Sequence, residues 1–159
     1  MLRLLLVLAA LLALAIPALG SAAATRSAAG VSAPESAVLR EMNRVRASHG
    51  LAPLRVDRRL QRAARAHTRA MLAANAFVHG SFGPRMNRFR VTGSLIGENL
   101  AWGMGDRGTA RSIVAAWIAS PPHRANLLGA RYRRIGVADL VGHFQGYNGV
   151  RVVTADFAG

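Results

Sequence analysis

The sequence predicts an α+β fold, in which helices come first along the chain and strands come late. Three segments repeat apolar residues at helical spacing, and two later runs have the composition and alternation of β-strands. No internal repeat interrupts this order. Helices grouped before strands favour an α+β fold over the strand–helix alternation of a parallel α/β sheet.

The first predicted helix covers Ala33–His49. Ser32 and Glu35 have the spacing of a capping box, in which each side chain accepts a hydrogen bond from the free backbone N–H of the other residue. Gly50 provides the C-terminal stop. The apolar residues that recur at helical spacing between these ends are Val38, Met42 and Val45.

A second helix begins after Asp57, a favourable N-cap residue, and carries two separate stripes. The apolar stripe, predicted to be buried, consists of Leu60, Ala64, His67 and Met71. The charged stripe consists of Arg58, Arg62, Arg65 and Arg69. We interpret the arginine stripe mainly as a solvated face, with a dedicated binding role as the alternative.

The remaining segments are shorter or richer in glycine. They are predicted to be a connector over 51–56, a loop over 77–83, a short helix over 84–90, a loop or short edge strand over 93–105 and a third amphipathic helix over 109–119. Ser120-Pro121-Pro122 ends the third helix and begins a turn that carries His123. The two strand runs are Ile135–Val141 and Val150–Phe157.

The N-terminus has the pattern of a secretory signal peptide. Arg3 supplies a positive charge, Leu4–Ile16 is an uninterrupted apolar run, and Pro17 and small residues follow as far as Ala24. The apolar run is too short to span a hydrocarbon core about 30 Å thick, which argues against a transmembrane anchor. The sequence therefore predicts a signal peptide over 1–24, a linker and the start of the first helix over 25–35, and one domain over 36–159. We expect a secreted or periplasmic protein with no transmembrane anchor after cleavage.

Composition restricts the chemistry and the partners. The chain of 159 residues has no cysteine, which excludes disulfides, thiol nucleophiles and thiolate ligands. All 21 basic residues are arginine, and the formal net charge is +14. A charge of this size favours anionic partners. Because an exported protein rarely meets nucleic acid, we expect anionic cell-envelope polymers, and not nucleic acid, as the charged partners.

Common catalytic and nucleotide-binding motifs are absent. The sequence contains no HExxH, no nucleophile-elbow GxSxG, no P-loop and no GxGxxG. What remains is a set of isolated polar residues in apolar or glycine-rich surroundings, namely His67, His79, Glu98, His123 and Asp156. These residues also have structural interpretations. His67, for example, lies on a buried stripe, where a core histidine is as plausible as a cleft residue.

Several segments resemble bacterial domains of the CAP superfamily, which unites cysteine-rich secretory proteins, antigen 5 proteins and plant pathogenesis-related proteins of class 1. The resemblance covers Ser36 to Gly159 and rests on the order and spacing of these segments. They are Asn43–Arg46, Gly50–Leu54, Ala66–Met71, Phe77–His79, Gly97–Ala101, Trp117–Leu128 and Thr154–Phe157.

The resemblance implies an α-β-α sandwich with a central, mainly antiparallel sheet and a surface cleft. In the family, histidines and acidic residues line the cleft and sometimes hold a divalent cation. The matching positions are His79, Glu98 and His123, with His67 as a further cleft residue. Two neutral imidazoles and one carboxylate would suit zinc or a similar cation and would leave a fourth position for water or a ligand.

Three functions are compatible with this pattern. The leading interpretation is an exported binding protein whose cleft takes a small apolar or envelope-derived ligand. The alternatives are a metal-dependent hydrolase with Glu98 as general base, and an arginine-driven binder of anionic envelope polymers. The absence of an obvious nucleophile and of a second dependable acid–base residue favours binding over catalysis without deciding between them.

We expect the mature protein to begin between Ser21 and Thr25, because small residues suited to signal peptidase follow the apolar run there. N-terminal sequencing of the protein expressed in a bacterial host would check this. Membrane-bound protein that retains Leu4–Ile16 would contradict it.

Overall fold

A computed structural model describes residues Gly30–Gly159. The predicted signal peptide and the part of the predicted linker before Gly30 lie outside the described residues. Within the described range, five α-helices and four strands follow one another along the chain. They are α1 (Ala33–Ser48), β1 (Arg55–Val56), α2 (Arg58–Ala74), α3 (Phe82–Arg88), β2 (Ile96–Gly103), α4 (Ala110–Ala119), α5 (Pro121–Leu127), β3 (Arg134–Phe144) and β4 (Tyr147–Ala158), with a 3-10 turn at Gly105–Gly108 between β2 and α4.

The four strands form one sheet in the order β1-β3-β4-β2. β3 and β4 form an antiparallel hairpin, β2 pairs antiparallel with β4, and β1 runs parallel to β3. The predicted α+β fold with a mainly antiparallel sheet is therefore confirmed. The prediction for 51–56 was wrong in one respect, since Arg55 and Val56 pair with β3 and are not only a connector. The segment 93–105 contains an edge strand of eight residues, longer than expected.

Helices cover both faces of the sheet, which confirms the α-β-α sandwich. On one face α1, α4 and α5 enclose the largest apolar cluster, to which β4 contributes Val153, Ala155 and Phe157. On the other face α2 packs across β3 and β4. Alternation along β4 turns Val152 towards the α2 side, where it packs with Met71.

Both sequence stripes of α2 are present, with one correction. All four residues of the apolar stripe are buried, whereas Arg58, Arg62 and Arg69 are exposed. Arg65 does not belong to the solvated face. Its Nε lies 2.7 Å from Oε1 of Glu35, and its Nη2 donates to the carbonyl oxygen of Gly30 at 2.7 Å.

The predicted capping box at the start of α1 is confirmed. It buries the Glu35 carboxylate, whose charge Arg65 balances. Glu35 Oε2 accepts from the backbone N–H of Ser32 at 2.7 Å, and Ser32 Oγ accepts from that of Glu35 at 3.4 Å. The Glu35 side chain is only 2% exposed. Because a buried carboxylate must be paired, Arg65 joins α2 to the first turn of α1.

A glycine and a glutamine set how closely α2 approaches the sheet. A Cβ at Gly136 would lie 2.1 Å from the carbonyl carbon of Leu60, so only glycine allows this contact. The next residue, Gln61, accepts from the N–H of Val137 at 3.0 Å and donates to its carbonyl oxygen at 2.5 Å. These contacts fix the height of α2 above the sheet, and with it the position of His67.

A buried arginine fixes α5 on the opposite face. Arg46, on α1, is fully buried and donates to the carbonyl oxygens of Ala52, Leu127 and Tyr132 at 2.9, 2.8 and 3.1 Å. It thereby ties α1 to the end of α5 and to the start of β3. None of the helices within Gly30–Gly159 is long and apolar enough to cross a membrane.

We expect Arg65→Met to lower the free energy of unfolding by about 2 kcal/mol, because it leaves the buried Glu35 carboxylate without its charged partner. The matched control is Arg62→Met on the exposed face of the same helix, which should change stability by no more than about 0.5 kcal/mol. Urea denaturation of both variants measures the difference. Equal effects would show that Arg65 is an ordinary surface residue.

Candidate functional site

The pairing of β2 with β4 brings two acidic residues together. Glu98 and Asp156 are register partners across these antiparallel strands, so their side chains emerge side by side on the α2 face of the sheet. We call them the carboxyl pair. The Glu98 side chain is 2% exposed and that of Asp156 is fully buried. Two acids this close and this far from water need a counter-charge.

Arg85 of α3 supplies that charge. Its Nη2 contacts Oε2 of Glu98 and lies 3.1 Å from Oδ1 of Asp156. Nη1 donates to the carbonyl oxygen of His79 at 3.4 Å, and the guanidinium carbon lies 5.2 Å from the centroid of the Phe82 ring. The side chain is 10% exposed. Nothing in the sequence around Arg85 distinguishes it from the other arginines, so the sequence did not indicate its role.

His79 occupies the opposite side of Glu98. It lies in the loop between α2 and α3, and its Nδ1 is 2.7 Å from Oε1 of Glu98. Its side chain is 59% exposed, so it is the member of the site most open to solvent. Glu98 therefore has one oxygen engaged by His79 and the other by Arg85.

His67 approaches the carboxyl pair from α2. Its Nε2 lies 2.9 Å from the carbonyl oxygen of Val78 and 3.7 Å from Oε2 of Glu98. A carbonyl oxygen can only accept, so Nε2 carries the proton and donates to Val78. Burial, and secondarily the charge of Arg85, lowers the pKa of His67 to about 4. The ring is therefore neutral at physiological pH.

His123 reaches the site from the other layer of the sandwich. Its carbonyl oxygen, on α5, accepts from Nδ2 of Asn99 at 2.9 Å. Asn126 donates to the carbonyl oxygen of Glu98 at 3.1 Å and to Oδ1 of Asn99 at 3.0 Å. Burial lowers the pKa of His123, and the neighbouring His79 lowers it further. The two histidines therefore border the same part of the surface.

The glycine before Glu98 allows α5 to lie this close to β2. A Cβ at Gly97 would come within 2.5 Å of Oη of Tyr132 and 2.8 Å of Oδ1 of Asn126. Each residue of the Gly97-Glu98-Asn99 segment therefore has its own role. Gly97 allows the close approach, Glu98 supplies the acid of the site, and the amide of Asn99 binds α5.

Burial and charge determine the protonation of the carboxyl pair. Burial raises the pKa of Asp156 well above its usual range, Arg85 opposes that rise, and the adjacent Glu98 adds to it. Burial likewise raises the pKa of Glu98, with Arg85 acting against it. The raised pKa of Asp156 favours its neutral form, which leaves Arg85 balanced by the one negative charge of Glu98.

The structure brings together all four predicted site residues, but not as a set of metal ligands. Within Gly30–Gly159, no group of three or more His, Asp or Glu side chains is placed to hold a metal ion. Both oxygens of Glu98 are already engaged, by His79 and by the guanidinium of Arg85. His79, Glu98 and His123 therefore do not fit a zinc site in this arrangement, and zinc stays a prediction.

An apolar groove lies beside the carboxyl pair, between α2 and α3. Its volume is about 330 Å³. We call it the α2–α3 groove, and of the four predicted site residues His67 is the one that lines it. The lining residues are Ala66, His67, Ala70, Ser81, Pro84, Arg85, Arg88 and Phe89.

A second apolar surface lies at the far end of β2. The Trp102 side chain is 40% exposed, and the centroid of its ring lies 6.0 Å from that of the Phe144 ring. The centroid of the Phe77 ring lies 6.4 Å from the same Phe144 ring. Met104 and Tyr147 extend this surface around a cavity of about 400 Å³. We call the exposed residues Phe77, Trp102, Met104 and Tyr147 the Trp102 surface; it is separate from the α2–α3 groove.

Comparisons with known proteins give both a family match and a fold match. Residues 39–157 match the model of the cysteine-rich secretory protein family, CAP. The chain is 36% identical over 118 residues to the uncharacterized protein YkwD of Bacillus subtilis (strain 168), which covers 71% of this chain and 45% of that protein. It thus spans less than half of the length of this relative.

Two solved structures of bacterial proteins share the fold. An extracellular SCP-domain protein from Bacillus anthracis str. Ames is 26% identical, with a TM-score of 0.63, and the match covers 79% of this chain and 40% of that chain. A cysteine-rich secretory protein from Staphylococcus aureus subsp. aureus Mu50 is 16% identical, with a TM-score of 0.65, and the match covers 79% and 38%. The second likeness concerns the fold alone.

We expect His67 to destabilise the protein as the pH falls. Its pKa is about 4 in the folded protein, against 6.5 for an unperturbed histidine, so the unfolded chain binds the proton more tightly. Between these two values the free energy of unfolding therefore decreases with falling pH, and from pH 6.5 to 4.5 the His67 contribution falls by about 2 kcal/mol.

Urea denaturation of the wild type and of His67→Gln at these two pH values measures this contribution. The comparison is needed because Glu98 and Asp156, whose pKa values are raised, change stability in the opposite direction. Glutamine keeps an N–H that can donate to Val78 but does not titrate. Identical pH dependence of the two proteins would contradict the low pKa of His67.

Proposed function

The chain belongs to the cysteine-rich secretory protein family, and from this premise we propose that it is an exported protein that binds a small amphiphile in the α2–α3 groove. Export is supported by the N-terminal pattern of the sequence and by the fold that the chain shares with an extracellular protein of Bacillus anthracis. The ligand has an apolar body and an anionic head group, as some envelope-derived lipids have.

The size and lining of the groove carry this proposal. A volume of about 330 Å³ falls at the lower end of the range for small-molecule sites. Ala66, Ala70, Pro84 and Phe89 offer apolar surface to a ligand. Small side chains on α2 leave the space open, and the neutral ring of His67 keeps its inner wall free of charge.

The charges at the groove select the head group. Arg85 and Arg88 line it, and no acidic residue of Gly30–Gly159 does. Arg85 is already engaged by the carboxyl pair, whereas Arg88 is exposed and makes its one described aromatic contact with Phe89, at 5.8 Å. An anionic group at the groove mouth would therefore meet Arg88 first.

The hydrolase alternative has less support from the geometry. Glu98 would act as general base only if a carboxylate oxygen could reach a water or a substrate. One oxygen is engaged by His79 and the other by Arg85, and the side chain is almost fully buried. Binding, rather than catalysis by Glu98, is the function that this arrangement favours.

Binding of anionic envelope polymers remains a second candidate, on a different surface. Arg58, Arg62 and Arg69 are exposed on one face of α2, and Arg58 and Arg62 line a shallow groove of about 230 Å³. Arg65 also borders this groove but already pairs with Glu35. A test of this candidate should therefore leave Arg65 in place.

We expect the fluorescent fatty acid 11-(dansylamino)undecanoate to bind the mature protein saturably, and we expect Ala70→Phe to weaken that binding at least tenfold by filling the groove, a loss of about 1.4 kcal/mol. The matched control is Ala73→Phe, which adds the same ring at an exposed position of α2 outside the groove. Arg88→Met should weaken binding of the fatty acid but not of its uncharged methyl ester. Dansyl fluorescence titration measures all of these affinities.

Two results would contradict the proposal. The first is an equal effect of Ala70→Phe and Ala73→Phe. The second is binding that survives Ala70→Phe but disappears in Trp102→Ala, which would move the ligand to the Trp102 surface.

A further inference from the structure

The cavity at the far end of β2 lies outside both the carboxyl pair and the α2–α3 groove. Its volume is about 400 Å³, and it is lined by Trp102, Gly103, Met104, Arg107 and Tyr147. Three of these residues belong to the Trp102 surface, and they are 40–54% exposed. Single exposed apolar residues are ordinary on protein surfaces, whereas a group of them around one cavity is typical of a binding site.

The two aromatic walls of this cavity are held from behind. The Trp102 ring packs edge-on against the fully buried ring of Phe144, with an angle of 70° between the ring planes. Tyr147 is the register partner of Phe144 at the β3–β4 turn. Asn75, at the end of α2, holds this turn, because the backbone N–H of Gln145 donates to its Oδ1 at 2.6 Å. The walls are therefore positioned before a ligand arrives, which reduces the entropy lost on binding.

A tight turn after β2 places Arg107 at the same cavity. A Cβ at Gly103 would lie 2.5 Å from the carbonyl oxygen of Arg107, so glycine lets the turn Gly105–Gly108 fold back onto the strand. The Arg107 side chain is exposed and forms no ion pair within Gly30–Gly159, and no acidic residue of this range lines the cavity. The cavity therefore presents one positive charge without a counter-charge.

We propose that this cavity binds a sugar ring that carries a carboxylate, as some glycans of bacterial cell envelopes do. A pyranose has a face of C–H groups that packs on an aromatic ring, and a rim of hydroxyl groups that needs water. Trp102 and Tyr147 suit such a ligand, because their rings combine a broad apolar face with a polar edge. Arg107 would pair with the carboxylate. The inference is independent of the amphiphile proposed for the α2–α3 groove.

The openness and charge of the cavity disfavour other ligands. An acyl chain would keep much of its surface in water between walls that are themselves about half exposed, so it would gain little from burial. Aromatic cages also bind quaternary ammonium groups, but Arg107 would repel a cation here. A flat ring with one apolar face, a polar rim and a negative charge matches all of the lining residues.

The experiment is isothermal titration of two sugars into the protein at neutral pH. N-acetylmuramic acid and N-acetylglucosamine have the same ring, and only the first carries a lactyl carboxylate. We expect the wild type to bind N-acetylmuramic acid saturably and more tightly than N-acetylglucosamine. Arg107→Gln should weaken binding of the acid to the level of the neutral sugar. Arg40→Gln, which changes an exposed arginine on α1, is the matched control and should behave as the wild type.

The aromatic walls are tested with the same titrations. Trp102→Leu keeps an apolar contact with Phe144 but removes the flat ring, and we expect it to weaken binding of N-acetylmuramic acid about tenfold or more. Tyr147→Leu, at an exposed position of the turn, should act in the same direction and decides the matter if Trp102→Leu does not fold. Ala70→Phe, which fills the α2–α3 groove, should leave sugar binding unchanged.

Three results would overturn the proposal. The first is a wild type that shows no saturable binding of N-acetylmuramic acid. The second is equal affinity for the two sugars, because Arg107 would then not pair with the carboxylate. The third is binding that survives Trp102→Leu and Tyr147→Leu but is lost in Ala70→Phe, which would place the sugar in the α2–α3 groove. Neither of the first two results affects the amphiphile proposal, which the dansyl fatty acid tests separately.

Discussion

The antiparallel register of β2 on β4 is the constraint on which the site depends. It places Glu98 directly beside Asp156 on the face that α2 covers, where water cannot solvate either acid. Two buried acids can persist there only with a counter-charge. Arg85 provides the charge, and this requires α3 and the loop that carries His79 to lie against the edge of the sheet. Arg85 and the carboxyl pair thus act together with the apolar packing of Met86 to position this short helix.

The site also depends on contacts in both layers of the sandwich. On the α2 side, Gly136 lets the helix approach the sheet closely enough for His67 to reach Glu98. On the other side, Arg46 holds the end of α5, and the amides of Asn99 and Asn126 join that helix to the backbone of β2. The predicted site residues, although distant in sequence, therefore meet at one edge of the sheet, and only His79 among them is largely exposed.

The sequence predicted those parts of the structure that leave a local signal. Period and capping residues located α1, α2 and α4 to within about a turn, and alternation located β3 and β4. β1 was missed because two residues are too few to show alternation, and β2 was understated because glycines and polar residues facing α5 and α3 interrupt its apolar pattern. The pairings of Arg65 and Arg85 were missed for another reason, since their partners lie beyond the range of any local pattern. Glu35 is 30 residues from Arg65, and Glu98 and Asp156 are 13 and 71 residues from Arg85.

His67 lies between the carboxyl pair and the α2–α3 groove, and its neutral state lets the groove stay apolar while the carboxyl pair stays charged. One side of its ring is near Glu98, and the other lines the α2–α3 groove. A charged imidazole there would attract water and anions into the groove and would compete with Arg85 for the carboxyl pair. Because burial and Arg85 keep the pKa of His67 at about 4, the ring stays neutral and forms an apolar wall with one satisfied N–H. Arg85 then pairs with the carboxyl pair inside the protein. Arg88, the other arginine of the groove, can contact an anionic ligand.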